Sequence, residues 1–225
     1  MMIQESPTRS EWQFLNLQNR KQVGDLEKRI LFFQKKNNHK VFNFACSRGE
    51  EGVSTIVANL VDYMTKKSAD KTTLIIDTNF QHPELHKIFN VSIDKGLTDL
   101  LRSSINFREA IKKINTLNID ILTCGNDFPE FAGNIEQEKL KRIIRELCDS
   151  YDYIFMDSAP ILTSSDALAS ATASDITFLV IKSLTVQREV AEKAKNLLLN
   201  NECLIGGAIL NKVIQVIPDW LYKII

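Results

Sequence analysis

The sequence predicts an α/β protein with a mainly parallel, doubly wound sheet and helices on both faces. Three observations carry this expectation. Short apolar runs such as Leu74-Ile75-Ile76 and Tyr153-Ile154-Phe155-Met156 alternate with longer stretches of helical spacing, the pattern of repeated strand–helix–strand units. The runs are apolar at consecutive positions, which suits strands covered on both faces. A glycine-containing loop stands between the first such run and a helix start, and two later runs end in a carboxylate, Asp77 and Asp157.

The elements follow in order. Residues 1–20 mix polar residues with Trp12, Phe14, Leu15 and Leu17. Pro7 and the lack of sustained periodicity make them a flexible leader, so residues 21–225 form a single domain. Val23, Leu26, Ile30 and Phe33 have helical spacing within 21–36, and Asn37-Asn38 ends that helix before a first strand at 40–46. The loop and its helix lead to a strand at 72–77. Residues 83–89 read as a short helix and 97–114 as one or two more. A strand at 118–123 precedes a loop at 126–134 that holds Pro129 and two phenylalanines. Residues 135–150 are a helix with Leu140, Ile143, Ile144 and Leu147 on one face. Then come a strand at 151–157, a small-residue helix at 164–173, a strand at 176–182, a helix at 185–200 and a strand at 204–210. An amphipathic helix over 218–225 closes the chain.

Composition narrows the function classes. The 225 residues suffice for one large domain with a substantial core. A hydrophobic share of 44% and a charged share of 25% are ordinary for a globular protein. The formal net charge is zero, so no basic footprint points to nucleic acid. No apolar run approaches a membrane span and no secretory signal opens the chain, which leads us to expect a cytoplasmic location. Cys46, Cys124, Cys148 and Cys203 fit no zinc spacing and read as buried thiols in a reducing compartment. His39, His82 and His86 have no metal-ligand spacing.

Three features converge on one chemistry. The loop Ser47-Arg48-Gly49-Glu50-Glu51-Gly52-Val53-Ser54-Thr55 sits where backbone N–H groups and a helix N-terminus point at one spot, the arrangement of a phosphate-binding loop. Ser54 is placed to reach a magnesium ion. Asp77 and Asp157 end strands, and ligands of open α/β sheets lie outside the carboxyl ends of strands. In this reading Asp157 holds magnesium through water, and Asp77 binds metal or orients a nucleophile. The lysine that a phosphate-binding loop wants before its Ser/Thr is Val53, which puts a branched apolar side chain beside phosphate oxygens.

Longer strings make the pattern specific. The loop is followed by Asn59-Leu60. The second run continues as Asp77-Thr78-Asn79-Phe80-Gln81-His82-Pro83-Glu84-Leu85-His86-Lys87-Ile88-Phe89, then Gly96-Leu97-Thr98-Asp99-Leu100-Leu101. Tyr151 to Pro160 ends a strand in Asp157, and Leu210-Asn211-Lys212 ends the last one. Over about residues 22–212 these strings resemble the cytoplasmic domain of bacterial tyrosine kinases (BY-kinases) of capsular polysaccharide synthesis, within the MinD/ParA-like group of P-loop ATPases. The resemblance implies a P-loop NTPase fold and binding of ATP or ADP with Mg2+. It implies nucleotide contacts from residues 47–55 and from Asn211 and Lys212, with Asn211-Lys212 at the base. It places metal at Ser54, Asp77 and Asp157, and catalysis at Asp77 and Asp157. It further implies work in exopolysaccharide export beside a separate membrane polysaccharide co-polymerase, recruitment by that partner to the inner membrane face, and self-association through an upstream helix motif. Of that motif Arg29 and Leu31 survive.

Departures from the family pattern stand beside the matches. Val53 replaces the lysine, Asn79 an aspartate, Gln81 an arginine, and Glu50 a glycine. The tyrosine-rich tail is reduced to Tyr222, which reads as a packing aromatic of the closing helix rather than a phosphosite. These departures favour a domain whose kinase activity is weakened or lost and whose role is regulatory or scaffolding. An active, atypical kinase or ATPase with Arg48 as the missing cation is the alternative. A MinD/ParA-type positioning ATPase would call for a second early lysine that neither Ser47 nor Arg48 supplies.

Overall fold

The computed structural model describes residues 17–68 and 70–212. The expected closing helix at 218–225, Tyr222, and most of the expected leader lie outside these residues. A single seven-stranded sheet organises the described chain, with strand order β3-β4-β2-β5-β1-β6-β7. The strands are β1 (Val41–Cys46), β2 (Thr73–Thr78), β3 (Ile111–Ile114), β4 (Ile119–Leu122), β5 (Tyr153–Ser158), β6 (Ile176–Lys182) and β7 (Ile205–Asn211). All pairings are parallel except β3 with β4. The helices are α1 (Leu17–Asn37), α2 (Val53–Lys67), α3 (Leu85–Ile88), α4 (Leu97–Leu101), α5 (Phe107–Ala110), α6 (Phe128–Phe131), α7 (Gln137–Cys148), α8 (Ser165–Ala173) and α9 (Arg188–Asn200).

Burial explains why the apolar runs are strands. Each residue of β1, β2 and β5 is buried, as expected of central parallel strands covered twice. On one face Phe42, Phe44, Phe155 and Phe178 pack with Val57, Leu60 and Val61 of α2 and Ile30 of α1. On the other, Leu74, Ile76, Ile154 and Met156 meet Leu140, Ile143, Ile144 and Leu147 of α7. Fully burying each such side chain contributes about 1.5–3 kcal/mol. β1 lies between β5 and β6, where the winding reverses. That switch point puts the loop after β1 in the crevice where open sheets bind ligands.

Four expectations need correction. Residues 111–114 are not helical: Ile111 and Lys112 pair antiparallel with Leu122 and Ile121, making β3 the sheet edge. Residues 128–131 form the short helix α6 inside the expected loop. Arg102 pairs with Asp127 and Glu130 there, and its guanidinium lies 5.1 Å from the Phe131 ring centroid. Cys148 is half-buried, whereas Cys46, Cys124 and Cys203 are buried; all four are free thiols. Burial pushes the Cys46 thiol up to about 12, so it stays protonated and unreactive. The described part of α1 includes residues 17–20, inside the stretch expected to be leader.

Candidate nucleotide and metal site

The phosphate-type loop is held by its own glutamate. Glu51 is 2% exposed. Its Oε1 accepts hydrogen bonds from the backbone N–H of Ser47 (2.9 Å) and Arg48 (3.0 Å), and its Oε2 accepts from the N–H of Lys182 (3.3 Å) at the end of β6. Asn211 Nδ2, at the end of β7, donates to the Glu51 carbonyl (2.8 Å). The loop is thus tied to two neighbouring strands without any ligand. Charge-assisted bonds of this kind are the strong ones. Glu51→Ala should therefore lower stability by about 2 kcal/mol, read as a shift of the urea midpoint at unchanged slope, while Glu51→Gln should recover part of it.

Backbone geometry shows why glycines stand here. Gly52 is the N-cap of α2 at φ 89°, and a Cβ there would lie 2.3 Å from Asn211 Nδ2. Glu50 also has positive φ, 55°, a conformation that is unfavourable for a side-chain-bearing residue. Glu50 is exposed, as is Arg48. A cleft of about 600 Å³ opens in front of the loop, bordered by residues 48–55, Asn79, Gln81, His82 and Glu84. Val53 borders it too, yet is only 6% exposed and packs in the core with Val57 and Leu60. Its side chain belongs to the interior rather than to the phosphate position. Asn211 donates its amide to the loop and accepts from the Lys212 N–H with Oδ1, so its hydrogen bonds serve the fold in this structure.

Asp77 and Asp157 meet as register partners on adjacent strands, both fully buried. Asp77 Oδ1 accepts from the Asn79 N–H (3.1 Å) and Oδ2 from the Leu85 N–H (3.1 Å), capping α3. Burial nevertheless raises its pKa to about 6. Among the described residues, neither oxygen of Asp157 has a hydrogen-bond partner. Burial, and then the charge of Asp77, hold its pKa well above the usual range. The Ser54 hydroxyl is close enough to oppose that shift without completing a hydrogen bond. Cys124 Sγ donates to the Asp77 carbonyl (3.2 Å).

Asn79 turns back on its own loop, its Oδ1 accepting from the His82 N–H (3.2 Å). Gln81 Nε2 reaches across to the Thr163 carbonyl (3.3 Å). Beneath the site runs a buried polar row that the sequence reading missed. Thr78 Oγ1 meets Ser158 Oγ (3.0 Å), Ser158 Oγ donates to Asn43 Oδ1, and Asn43 Nδ2 donates to Thr177 Oγ1 (3.2 Å). These bonds stitch β2, β5, β1 and β6 at the level of the carboxylates. The signal lay in polar residues interrupting otherwise apolar strands.

Comparison with known proteins places this geometry. The AAA domain family matches residues 39–201. CapB of Staphylococcus aureus is 31% identical over 184 residues, covering 82% of this chain and 80% of that protein. YwqD of Bacillus subtilis, a tyrosine-protein kinase, is 32% identical over 161 residues, covering 72% of this chain and 67% of that protein. The chain belongs to the bacterial tyrosine-kinase family. BY-kinase and MinD structures share its fold. The kinase domain of Escherichia coli tyrosine kinase Etk superposes with a TM-score of 0.80 at 20% identity, covering 88% of this chain and 77% of that one. MinD of Pyrococcus horikoshii, complexed with Mg-ADP, superposes at 0.67 and 20% identity, covering 82% and 76%.

Family membership implies magnesium and nucleotide, and the residues present can be tested for fit. The two unpartnered oxygens of Asp157, with Asp77 and the Ser54 hydroxyl, are hard oxygen donors that suit a divalent cation. Two carboxylates converge there, so water or phosphate would complete the coordination shell. The loop backbone and the N-terminus of α2 suit a phosphate. Among the cleft-lining residues, Arg48 is the one with a permanent positive charge.

Proposed function

We propose that this chain is a BY-kinase-like cytoplasmic domain of exopolysaccharide or capsule biosynthesis and export, with its ATP-dependent tyrosine kinase activity weakened or lost. Its role in this reading is regulatory or scaffolding, beside a separate membrane polysaccharide co-polymerase that recruits it to the inner membrane face. The observation that carries the loss is Val53, seated in the core where a family kinase has a lysine. Glu50 and Glu84 border the cleft and Asp77 and Asp157 pair in the adjacent strands, an excess of negative charge, whereas phosphoryl transfer depends almost wholly on positioning and charge neutralisation. Asn79 adds to this, since an amide supplies neither charge nor basicity at that position.

Arg48 favours a second reading. It is exposed and lines the same cleft, so an active, atypical kinase or ATPase would draw its cation from there. Calorimetry with magnesium and ATP or ADP decides between the two. We expect no heat of binding at millimolar nucleotide. Micromolar binding, abolished by Arg48→Ala, would overturn the first reading and install the second.

A further inference from the structure

The exposed face of α1 carries charge of mainly one sign. At 3.6 residues per turn, Lys21, Lys28, Phe32, Lys35 and Lys36 fall within about a third of the helix circumference, and each is exposed. Phe32 stands in the middle of this strip, 51% exposed, with the Lys36 ammonium 5.4 Å from its ring centroid. Among the described residues it is the one exposed phenylalanine. Arg29 borders the strip but is tied to the fold. Its Nε donates to the Gly206 carbonyl (3.2 Å), and its guanidinium lies 5.2 Å from the Phe33 ring centroid. Asp25 is the one carboxylate on the strip and pairs with Lys28 (2.9 Å). The other acid of α1, Glu27, is buried and paired with Lys67 (2.6 Å).

The chain as a whole has no net charge, so the strip is a local excess balanced elsewhere. The other long surface helices mix their signs: Lys141 pairs with Glu138 on α7, and Arg188 with Glu192 on α9. An aromatic ring among lysines is the make-up of a helix that lies on a lipid surface. The ammonium groups meet anionic headgroups, while the lysine stems and the ring sit at the boundary with the acyl chains. Lysines without a free arginine fork suit a diffuse anionic surface better than discrete phosphates. We propose that this face of α1 docks on an anionic lipid surface. The inference rests on the proposed function for its setting, since a domain recruited to the inner membrane face lies within reach of anionic headgroups. It adds a second, weak attachment to the one the partner supplies, and stable anchoring takes two such signals.

Co-sedimentation of the full chain with vesicles tests this without nucleotide or co-polymerase, so a negative result leaves the kinase-like reading standing. Vesicles of phosphatidylcholine with about 30% phosphatidylglycerol should carry the protein down, and pure phosphatidylcholine should not. Molar salt, where the Debye length is about 3 Å, should release it. Lys35→Gln together with Lys36→Gln should weaken binding roughly 25-fold, at about fivefold per lysine near a charged surface. Phe32→Ser should weaken it several-fold at an unchanged salt dependence, a signature that charge alone does not give. All three side chains are exposed, so far-UV dichroism and melting should stay those of the parent. Absence of binding to the anionic vesicles overturns the proposal, as does binding that salt or these variants leave unchanged. A DNA duplex that binds as tightly, and equally well after Phe32→Ser, overturns it in favour of a general polyanion site. Self-association without vesicles that the same variants abolish overturns it in favour of a second copy.

Discussion

Val53→Lys is expected to tighten binding of Mg·ATP by roughly 10- to 150-fold, the equivalent of a charge-assisted contact of about 1.5–3 kcal/mol. The loop around position 53 is already formed without ligand, held by Glu51 and by Asn211. The loop backbone is already held in place by these bonds, so the contribution that the lysine adds is charge. A lysine can bury its stem along the interior and carry its ammonium out to the cleft. The substitution has an opposite effect on the empty protein. Val53 is the first residue of α2 and is buried, so losing it should lower stability by about 1–2 kcal/mol, or roughly 2–8 °C for a domain of this size.

The signature is therefore a melting temperature below that of the parent without nucleotide and at or above it with Mg·ATP. Val53→Met, long and apolar, should leave binding where it is. If Val53→Lys folds and its affinity for nucleotide stays that of the parent, charge is not what the loop lacks. Glu50, exposed at positive φ, would then be the next position to restore, as glycine.

The parts of this fold that local chemistry dictates could be read from the sequence. β1, β2 and β5 are mostly apolar because they lie between two layers, and the loop after β1 announces itself through Gly49 and Gly52. Asp77 and Asp157 were placed together because both end such strands, and the register pairs them directly. What escaped was set by distant partners. Ile111-Lys112-Lys113-Ile114 is a strand only because β4 folds back beside it. Residues 128–131 are helical within a loop clamped by Arg102. Glu51 read as a phosphate-loop residue facing a ligand, yet one of its three N–H donors lies on Lys182, far along the chain. No local pattern reveals such a bond.

Asp157→Asn is expected to stabilise the protein at neutral and higher pH and to do nothing near pH 4. Asp157 and Asp77 are buried side by side with no lysine or arginine bonded to either among the described residues. Both carboxyls titrate above the usual carboxylate range, Asp77 at about 6. Between about pH 4 and 6 the folded protein thus keeps a proton that the unfolded chain has released. Stability falls as pH rises through that window and stays lower above it. For Asp77 alone the rise from 3.8 to about 6 corresponds to roughly 3 kcal/mol at neutral pH, shared between two groups that titrate together. The asparagine keeps the shape of Asp157 and removes the repulsion, so a gain of about 5–10 °C in melting temperature near pH 8 is expected. Magnesium tests the same charge from the other side. Millimolar Mg2+ should raise the melting temperature of the parent near pH 8, where both carboxylates are drawn towards ionisation. It should do little near pH 5 and nothing for Asp157→Asn. A variant that melts below the parent at pH 8 would mean that Asp157 already has a favourable partner in the folded chain, and that its raised pKa is not what limits stability.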